Sequence, residues 1–277
     1  MRIGVVGNGF VGQATRCFAG GRVSVLAYDK DPSLCEPAGT SMQDVASCDL
    51  VFVSVPTPMK PCGLCCTGIV EEVVSELRSL GATDIVVRST VPPGTCAELK
   101  VHFLPEFLTE RNFIPDFKAT PVWVVGTNSE DGSFKQKIQY LLGICKEDGK
   151  VCSDTTEFVT TTEGELIKYF RNTFLATKVT FCNEFASICQ ASGVSYDIVR
   201  GIAANDPRIG LSHTGVPGPD GVMGFGGTCL PKDIHAITRA ASKQWVPCPL
   251  LEAVISRNES IDRPQKDWQL DKGRAVV

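Results

Sequence analysis

The chain has 277 residues, formal net charge −4 and 21% charged residues, so length favours two domains and nothing in the charge suits a nucleic-acid or anionic-membrane surface. No apolar run approaches the roughly 20 residues of a spanning helix, and no leader-like segment precedes Arg2, which reads as a soluble, cytoplasmic protein. Thirteen cysteines are scattered through apolar segments such as those of Cys17, Cys145 and Cys182, as small buried hydrophobes are. Cys62, Cys65 and Cys66 form a CxxC core, but no second CxxC or HxxxH lies nearby to complete four zinc ligands. They read as a reduced surface loop, and no metal is expected.

The first apolar run, Arg2 to Val6, leads directly into Gly7-Asn8-Gly9-Phe10-Val11-Gly12 and then into a helical segment ending near Gly20. A second run, Val23 to Tyr28, ends in Asp29. Strand, glycine turn, helix, strand and acid in this order suit a dinucleotide: the glycines bring backbone amides against a pyrophosphate, and the acid accepts from the adenosine ribose. Asp29 repels a 2′-phosphate and so favours NAD over NADP, although Lys30 beside it offers a phosphate contact. Further runs at Leu50–Val55, Ile85–Val87 and 121–125 alternate with helical stretches at Ile69–Leu80 and from about Gly132 to Cys145, as in a parallel doubly wound sheet. Thr57, Ser89 and Thr90 follow two of these strands, where ligands bind in such sheets.

From Glu163 to Gly193 no proline interrupts a near-helical apolar spacing, which predicts one helix of about 45 Å at about 1.5 Å per residue. A helix of that length exceeds the burial capacity of one small domain, so a second copy of the chain is expected against it. Lys168 and Asn172, four apart, share a face. Later, Gly224-Phe225-Gly226-Gly227-Thr228-Cys229-Leu230-Pro231-Lys232-Asp233 places a cysteine after a glycine run and just before a helix that Pro231 opens. A helix N-terminus and a nearby lysine both favour the thiolate. Such a thiolate beside an NAD site captures an aldehyde as a thiohemiacetal, whose oxidation gives a thioester for water to cleave.

These strings together resemble the UDP-glucose/GDP-mannose dehydrogenase family. The resemblance is carried by Gly7–Gly12 with Asp29, Val55-Pro56-Thr57-Pro58, Ser89-Thr90-Val91-Pro92, Pro105-Glu106-Phe107-Leu108 with Glu110, and Lys168–Asn172 followed by Gly224–Asp233. It implies four-electron oxidation of the C6 alcohol of a nucleotide sugar, UDP-glucose first, with NAD. Carried over residue by residue, Cys229 resembles the nucleophile and Lys168 with Asn172 the cradle for developing negative charge. Asp233 resembles the carboxylate that orders water or takes protons, and Thr90 with Glu106 the pair that positions the hydrolytic water, a role open to an enclosed carboxyl because burial can tune it toward neutral pKa.

The resemblance further implies cofactor contacts from Gly7, Gly9, Phe10, Val11, Gly12, Asp29, Lys30, Thr57, Ser89, Thr90, Glu110 and Lys232. Substrate contacts fall to Glu106, Phe107, Leu108, Lys168, Asn172, Phe225 and Gly226, with Arg208 reaching in trans across a homodimer. The expected architecture is α/β: a Rossmann-like doubly wound sheet (1–160), a mostly helical domain built on the long central helix (161–260) and a polar tail (261–277). Members usually continue into a nucleotide-covering domain, so a short form without it is expected. Two other readings stay open: a two-electron β-hydroxyacid-type dehydrogenase, and a non-catalytic protein that binds NAD or a nucleotide sugar.

Overall fold

The computed structural model describes residues 1–130 and 132–277. They form two compact units, one of residues 1–57 and 67–168, the other of residues 58–66 and 169–277.

In the first unit β1 (Arg2–Val6), α1 (Phe10–Thr15), β2 (Ser24–Tyr28), α2 (Met42–Ala46), β3 (Leu50–Val53), α3 (Gly68–Ser79) and β4 (Ile85–Val87) come first. They are followed by α4 (Thr95–Glu98), β5 (His102–Phe103), α5 (Phe113–Lys118), β6 (Trp123–Gly126), α6 (Ser133–Glu147) and β7 (Thr156–Val159). Among the described residues seven strands make one sheet, in the order β2-β1-β3-β4-β5-β6-β7. Every pairing is parallel except β5 with β6, where Phe103 faces Gly126. A side chain at Gly126 would press on Phe103 Cβ (3.2 Å) and Thr161 Cα (3.0 Å).

Both sheet faces are covered, so the strands are apolar at consecutive positions and alternate between two cores. Leu50, Phe52 and Val86 enter one core with Phe18, Phe117 and Trp123, while Val51, Val53 and Val87 enter the other with Val70, Val74 and Leu77. Phe18 and Phe117 meet edge to face at 4.8 Å, as do Phe117 and Trp123 at 5.2 Å. This is the doubly wound Rossmann-like sheet expected. Sequence periodicity did not disclose β5, β7 or α2, because two to five residues are too few to establish a period.

A long helix, α7 (Thr161–Ala191), begins in the first unit and supplies the second from Tyr169 onward. The second unit adds α8 (Tyr196–Ala203), α9 (Leu230–Lys243) and α10 (Pro249–Arg257). Its core joins Ala176, Phe225, Ile234 and Val254. Residues 58–66, earlier in the chain, also belong to it: Met59 N–H donates to Ala275 O (2.9 Å) and Val277 N–H to Met59 O (3.0 Å). The polar stretch 261–277, expected as a linker or capping tail, packs in part onto this unit. Trp268 and Ala275 are buried, and the Arg263 guanidinium pairs with Asp220 (2.7 Å) and Asp267 (2.5 Å). Arg263 and Lys266 find carboxylate partners within the unit, while Gln265, Gln269, Leu270 and Lys272 stay exposed. Among the described residues no helix is long and apolar enough to cross a membrane.

Glu259 anchors this C-terminal stretch, accepting from His235 Nε2 (2.7 Å) on α9 and from Lys266 Nζ (2.5 Å). The His235 bond, opposed by burial and aided by Lys266, lowers the Glu259 pKa from 4.5 to about 2. A depressed carboxyl contributes stability in full above its unfolded value and loses it as pH falls through the folded one. Glu259→Gln should therefore reduce unfolding free energy near pH 7 by about 1–2 kcal/mol, with the gap closing between pH 4.5 and about 2. Denaturant titrations across that range check it; a gap that persists unchanged at the acid end contradicts it.

Candidate functional site

At the first unit's N-terminal turn Gly7 has φ +87°, donates to Tyr28 O (2.9 Å) and lies so close to Ser54 that a Cβ would sit 2.7 Å from its carbonyl oxygen. A Cβ at Gly12 would run into the Gly7 carbonyl, whereas the space around Gly9 is open. That open side is where a ligand's phosphates can reach the backbone. No side chain caps the N-terminus of α1, which Phe10 and Val11 open. Asp29 follows β2 and accepts from Asn8 N–H (2.7 Å) and Asp31 N–H (3.0 Å), which fixes its carboxylate beside the turn. Asn8 Oδ1 is buried without a hydrogen-bond partner, an acceptor that a ligand hydroxyl or bound water would satisfy. These features fit a dinucleotide. Lys30 is exposed, as is Glu110.

Beyond the carboxyl ends of β3 and β4 the two loops are bonded to one another. Thr57 Oγ1 donates to Thr90 O (2.8 Å) and Ser89 Oγ to Val55 O (2.6 Å). Lys168, on α7, is 3% exposed and donates to both the carbonyl (2.7 Å) and the Oε1 (2.7 Å) of Glu106. Glu106 Oε2 accepts from Leu108 N–H (2.7 Å), and the Lys168 ammonium lies 5.7 Å from the centre of the Phe107 ring. Burial works to raise the Glu106 pKa, but the Lys168 charge and hydrogen bond, helped by Leu108 and Arg88, hold it below the ordinary carboxylate range. Burial can tune such a carboxyl toward neutrality; here the ammonium, which spacing alone did not pair with Glu106, keeps the carboxylate ionised instead.

Two residues of this neighbourhood carried no motif. Arg88 is fully buried, donates to Thr15 Oγ1 (2.6 Å) and is brought down to about 10 by burial against the opposing pull of Glu106. Glu165 is fully buried and accepts from Gly94 N–H (2.6 Å) and Cys96 N–H (2.8 Å), satisfying the start of α4. A glutamate three residues before Lys168 was visible in the sequence, but its partners, about seventy residues away, were not.

In the second unit Cys229 is the N-cap residue of α9, and Pro231 occupies its first turn. Asp233, 1% exposed, accepts from Asn172 Nδ2 (2.6 Å) and from Lys232 Nζ (2.5 Å). Burial works to discharge Lys232, but Asp233, Cys229 and Cys65 together hold its ammonium above the ordinary lysine range. The Lys232 ammonium therefore lies within electrostatic reach of Cys229. The glycines before Cys229 serve packing as well as freedom. A Cβ on Gly224 (φ +69°) would strike Asn258 Oδ1, and one on Gly226 the Arg263 guanidinium. Asn258 clasps Phe225 by donating to its carbonyl (2.9 Å) and accepting from its N–H (2.9 Å), and Asn183 accepts from Gly224 N–H (3.0 Å). Asn183, Asn258 and Arg263 thus shape the cysteine loop; the residues they serve are far away in sequence. Arg208 is exposed and forked onto Asp206.

Comparison with known proteins matches residues 35–142 to the NAD binding domain of the UDP-glucose/GDP-mannose dehydrogenase family and residues 162–260 to its central domain. The first unit is thus an NAD-binding domain; the match starts downstream of the glycine turn, which rests on its own geometry. A UDP-glucose 6-dehydrogenase of Rickettsia typhi is 35% identical over 78% of this chain and 50% of its own length. One from Rhizobium meliloti is 30% identical over 95% of this chain and 68% of its own. The chain spans about half the length of several of the curated relatives that it matches. A UDP-glucose dehydrogenase structure from Pyrobaculum islandicum superposes with a TM-score of 0.81 at 27% identity, covering 98% of this chain and 71% of that one. By domain matches, sequence identity and fold, the chain belongs to the UDP-glucose/GDP-mannose dehydrogenase family.

Proposed function

We propose that the chain carries out NAD-dependent, four-electron oxidation of the C6 alcohol of a nucleotide sugar to the carboxylate, with UDP-glucose the first candidate substrate. The observation that carries this reading is Cys229 at the start of α9, one turn from an ammonium held charged by a buried carboxylate. A simple alcohol dehydrogenase has no use for that thiol. Relatives named UDP-glucose 6-dehydrogenase support the substrate class.

Asp29, Lys30, Glu110, Lys232 and the turn from Gly7 to Gly12, with Thr57, Ser89 and Thr90, would hold the cofactor. NAD, held there twice in succession, would supply the hydride acceptor for each of two oxidations at the sugar C6 carbon. The first oxidation gives an aldehyde, to whose carbonyl carbon the Cys229 thiolate adds. Lys168 and Asn172 stabilise the negative charge that develops on the C6 oxygen. The second oxidation leaves a Cys229 thioester. Water held by Thr90 and Glu106 attacks it, Asp233 ordering the protons, and the acid leaves as the sulfur is restored. The sum is one alcohol, one water and two NAD to one carboxylate, two NADH and three protons at neutral pH. Glu106 enters this scheme as an ionised acceptor that orients water. Phe107, Leu108, Phe225 and Gly226 shape the sugar's surroundings.

The partner in this reading is a second copy of the chain. The part of α7 in the second unit exposes Phe170, Phe174, Phe181, Phe185 and Ile188, while α8 exposes Ile198 and Ile202. A contiguous apolar face of this kind marks an association surface. Arg208, exposed in the single chain, is assigned to the neighbouring copy's substrate. A cytoplasmic setting suits a chain whose cysteines stay thiols.

Measured NADH per mole of limiting UDP-glucose should be two, and Cys229→Ser should yield at most one, without acid. Lys168→Ala should depress turnover by about 100-fold or more, as loss of an oxyanion donor does, with little change in apparent affinity. One NADH from the unmutated protein favours a two-electron dehydrogenase; none with any nucleotide sugar, despite NAD binding, favours a binder. Sedimentation should show a dimer, with Phe181→Glu shifting it to monomer; a monomeric unmutated protein contradicts the assembly.

A further inference from the structure

A fully buried cation that the reaction scheme does not use sits where three segments of the first unit meet. Arg88 follows β4 directly: its N–H donates to Val53 O (2.8 Å), extending the pairing with β3, and the next two residues are Ser89 and Thr90. Its guanidinium reaches the end of α1, where Nη1 donates to Thr15 Oγ1 (2.6 Å). The Thr15 hydroxyl in turn donates to Val11 O (2.8 Å), in the glycine turn. A third segment is met by Nε, which donates to Leu104 O (3.4 Å), while Leu104 N–H donates to Val87 O (2.9 Å). Leu104 lies two residues before Glu106. The Phe117 ring closes the site, its centre 5.5 Å from the guanidinium carbon. Burial disfavours charge here, and among the described residues no carboxylate forms an ion pair with Arg88; Glu106 acts on it only from longer range. Apolar side chains commonly replace buried charges without loss of stability. What the guanidinium adds is geometry, a rigid fork that holds two segments at once.

From these contacts we infer that Arg88 is a positioning residue for the hydrolytic step: anchored on α1 by Thr15, it sets the segments carrying Thr90 and Glu106 against the dinucleotide turn. The inference rests on the reading of Thr90 and Glu106 as the pair that holds water for thioester hydrolysis, and Arg88 acts on that water only through them. Its backbone fixes the start of Ser89-Thr90, and its bond to Leu104 fixes the approach of the chain to Glu106. Its charge adds to that of Lys168 in keeping Glu106 ionised. A displacement of about 1 Å in such a pair is enough to cost about 100-fold in rate.

Arg88→Met removes the charge and the fork while keeping much of the apolar length. The variant should melt cooperatively and, by calorimetry, bind NAD as tightly as the unmutated protein, since the turn's own hydrogen bonds remain. Its turnover of UDP-glucose should fall about 100-fold, with little change in apparent affinity for the sugar. Peptide mass spectrometry after an acid quench should find the oxidised sugar nucleotide retained on Cys229, because the step that releases it is the one slowed. The acid limb of the pH–turnover profile should move to higher pH, since Glu106 loses a nearby cation and takes up its proton more readily. Lys168 and the Leu108 N–H, the other groups that hold that carboxylate ionised, are untouched. Arg88→Lys, which keeps a cation, should recover part of the turnover and the unshifted profile. Full turnover by Arg88→Met, or a loss with neither the Cys229 adduct nor the shifted limb, overturns the inference. Should Arg88→Met not fold, Thr15→Val decides by the same adduct: its presence supports the anchoring and its absence overturns it. If the unmutated protein makes one NADH per sugar or none, the reading of the site fails. If it makes two and Arg88→Met releases acid at the normal rate, this inference alone fails.

Discussion

The buried carboxylate of Asp233 is the constraint on which the chemistry of the second unit depends. At 1% exposure it needs partners for both oxygens, because an uncompensated charge in such a place costs about 3–5 kcal/mol. One oxygen takes Lys232, the next residue on α9, and the other takes Asn172 on α7. The carboxylate thereby ties two helices together, keeps an ammonium charged beside the first turn of α9 and fixes the residue that caps that turn, Cys229. The glycine loop leading to the cysteine then has no freedom to wander, since Asn183, Asn258 and Arg263 occupy the space that side chains at Gly224 and Gly226 would need. Arg263 is in turn held by Asp220 and Asp267, so residues near the C-terminus support the cysteine from below.

The first unit uses the same device with the signs exchanged. Lys168 is a buried cation whose ammonium is compensated by Glu106, and Glu106 is kept ionised by it. Arg88 lies near enough for Glu106 to oppose its discharge. Buried charge of this kind adds little net stability compared with apolar packing, but it holds geometry closely. The stability of the unit comes instead from the two apolar layers on the sheet, where consecutive residues of β3 and β4 alternate between them.

Much of this was legible in the residues. Gly7 to Gly12 with Asp29 announced the turn because strand, glycine and acid are local, and the turn's hydrogen bonds run between those same residues. The long helix was readable because thirty residues suffice to show a period, and Thr161–Ala191 matches it closely. The types of the site residues came from the family resemblance; their pairing did not. Lys168 and Asn172, four apart, engage different carboxylates, Glu106 and Asp233, each about sixty residues away, and no local pattern records that choice. In the polar stretch 261–277 composition could not say which polar groups face water and which satisfy one another, as Arg263 and Asp267 do. The CxxC core reads correctly as a loop of free thiols with Cys62 exposed, but spacing did not record that its Gly63 packs against Arg239 of α9.

In the proposed reaction Cys229, among thirteen thiols, is the one that reacts with substrate. The most direct measurement is site-resolved alkylation with limiting iodoacetamide near neutral pH, quantified peptide by peptide, with and without NAD and UDP-glucose. Cys229 should be modified ahead of the more exposed Cys62 and Cys152, and ligand should suppress labelling there alone. Modification of Cys229 no faster than those two, and unaffected by ligand, would contradict it.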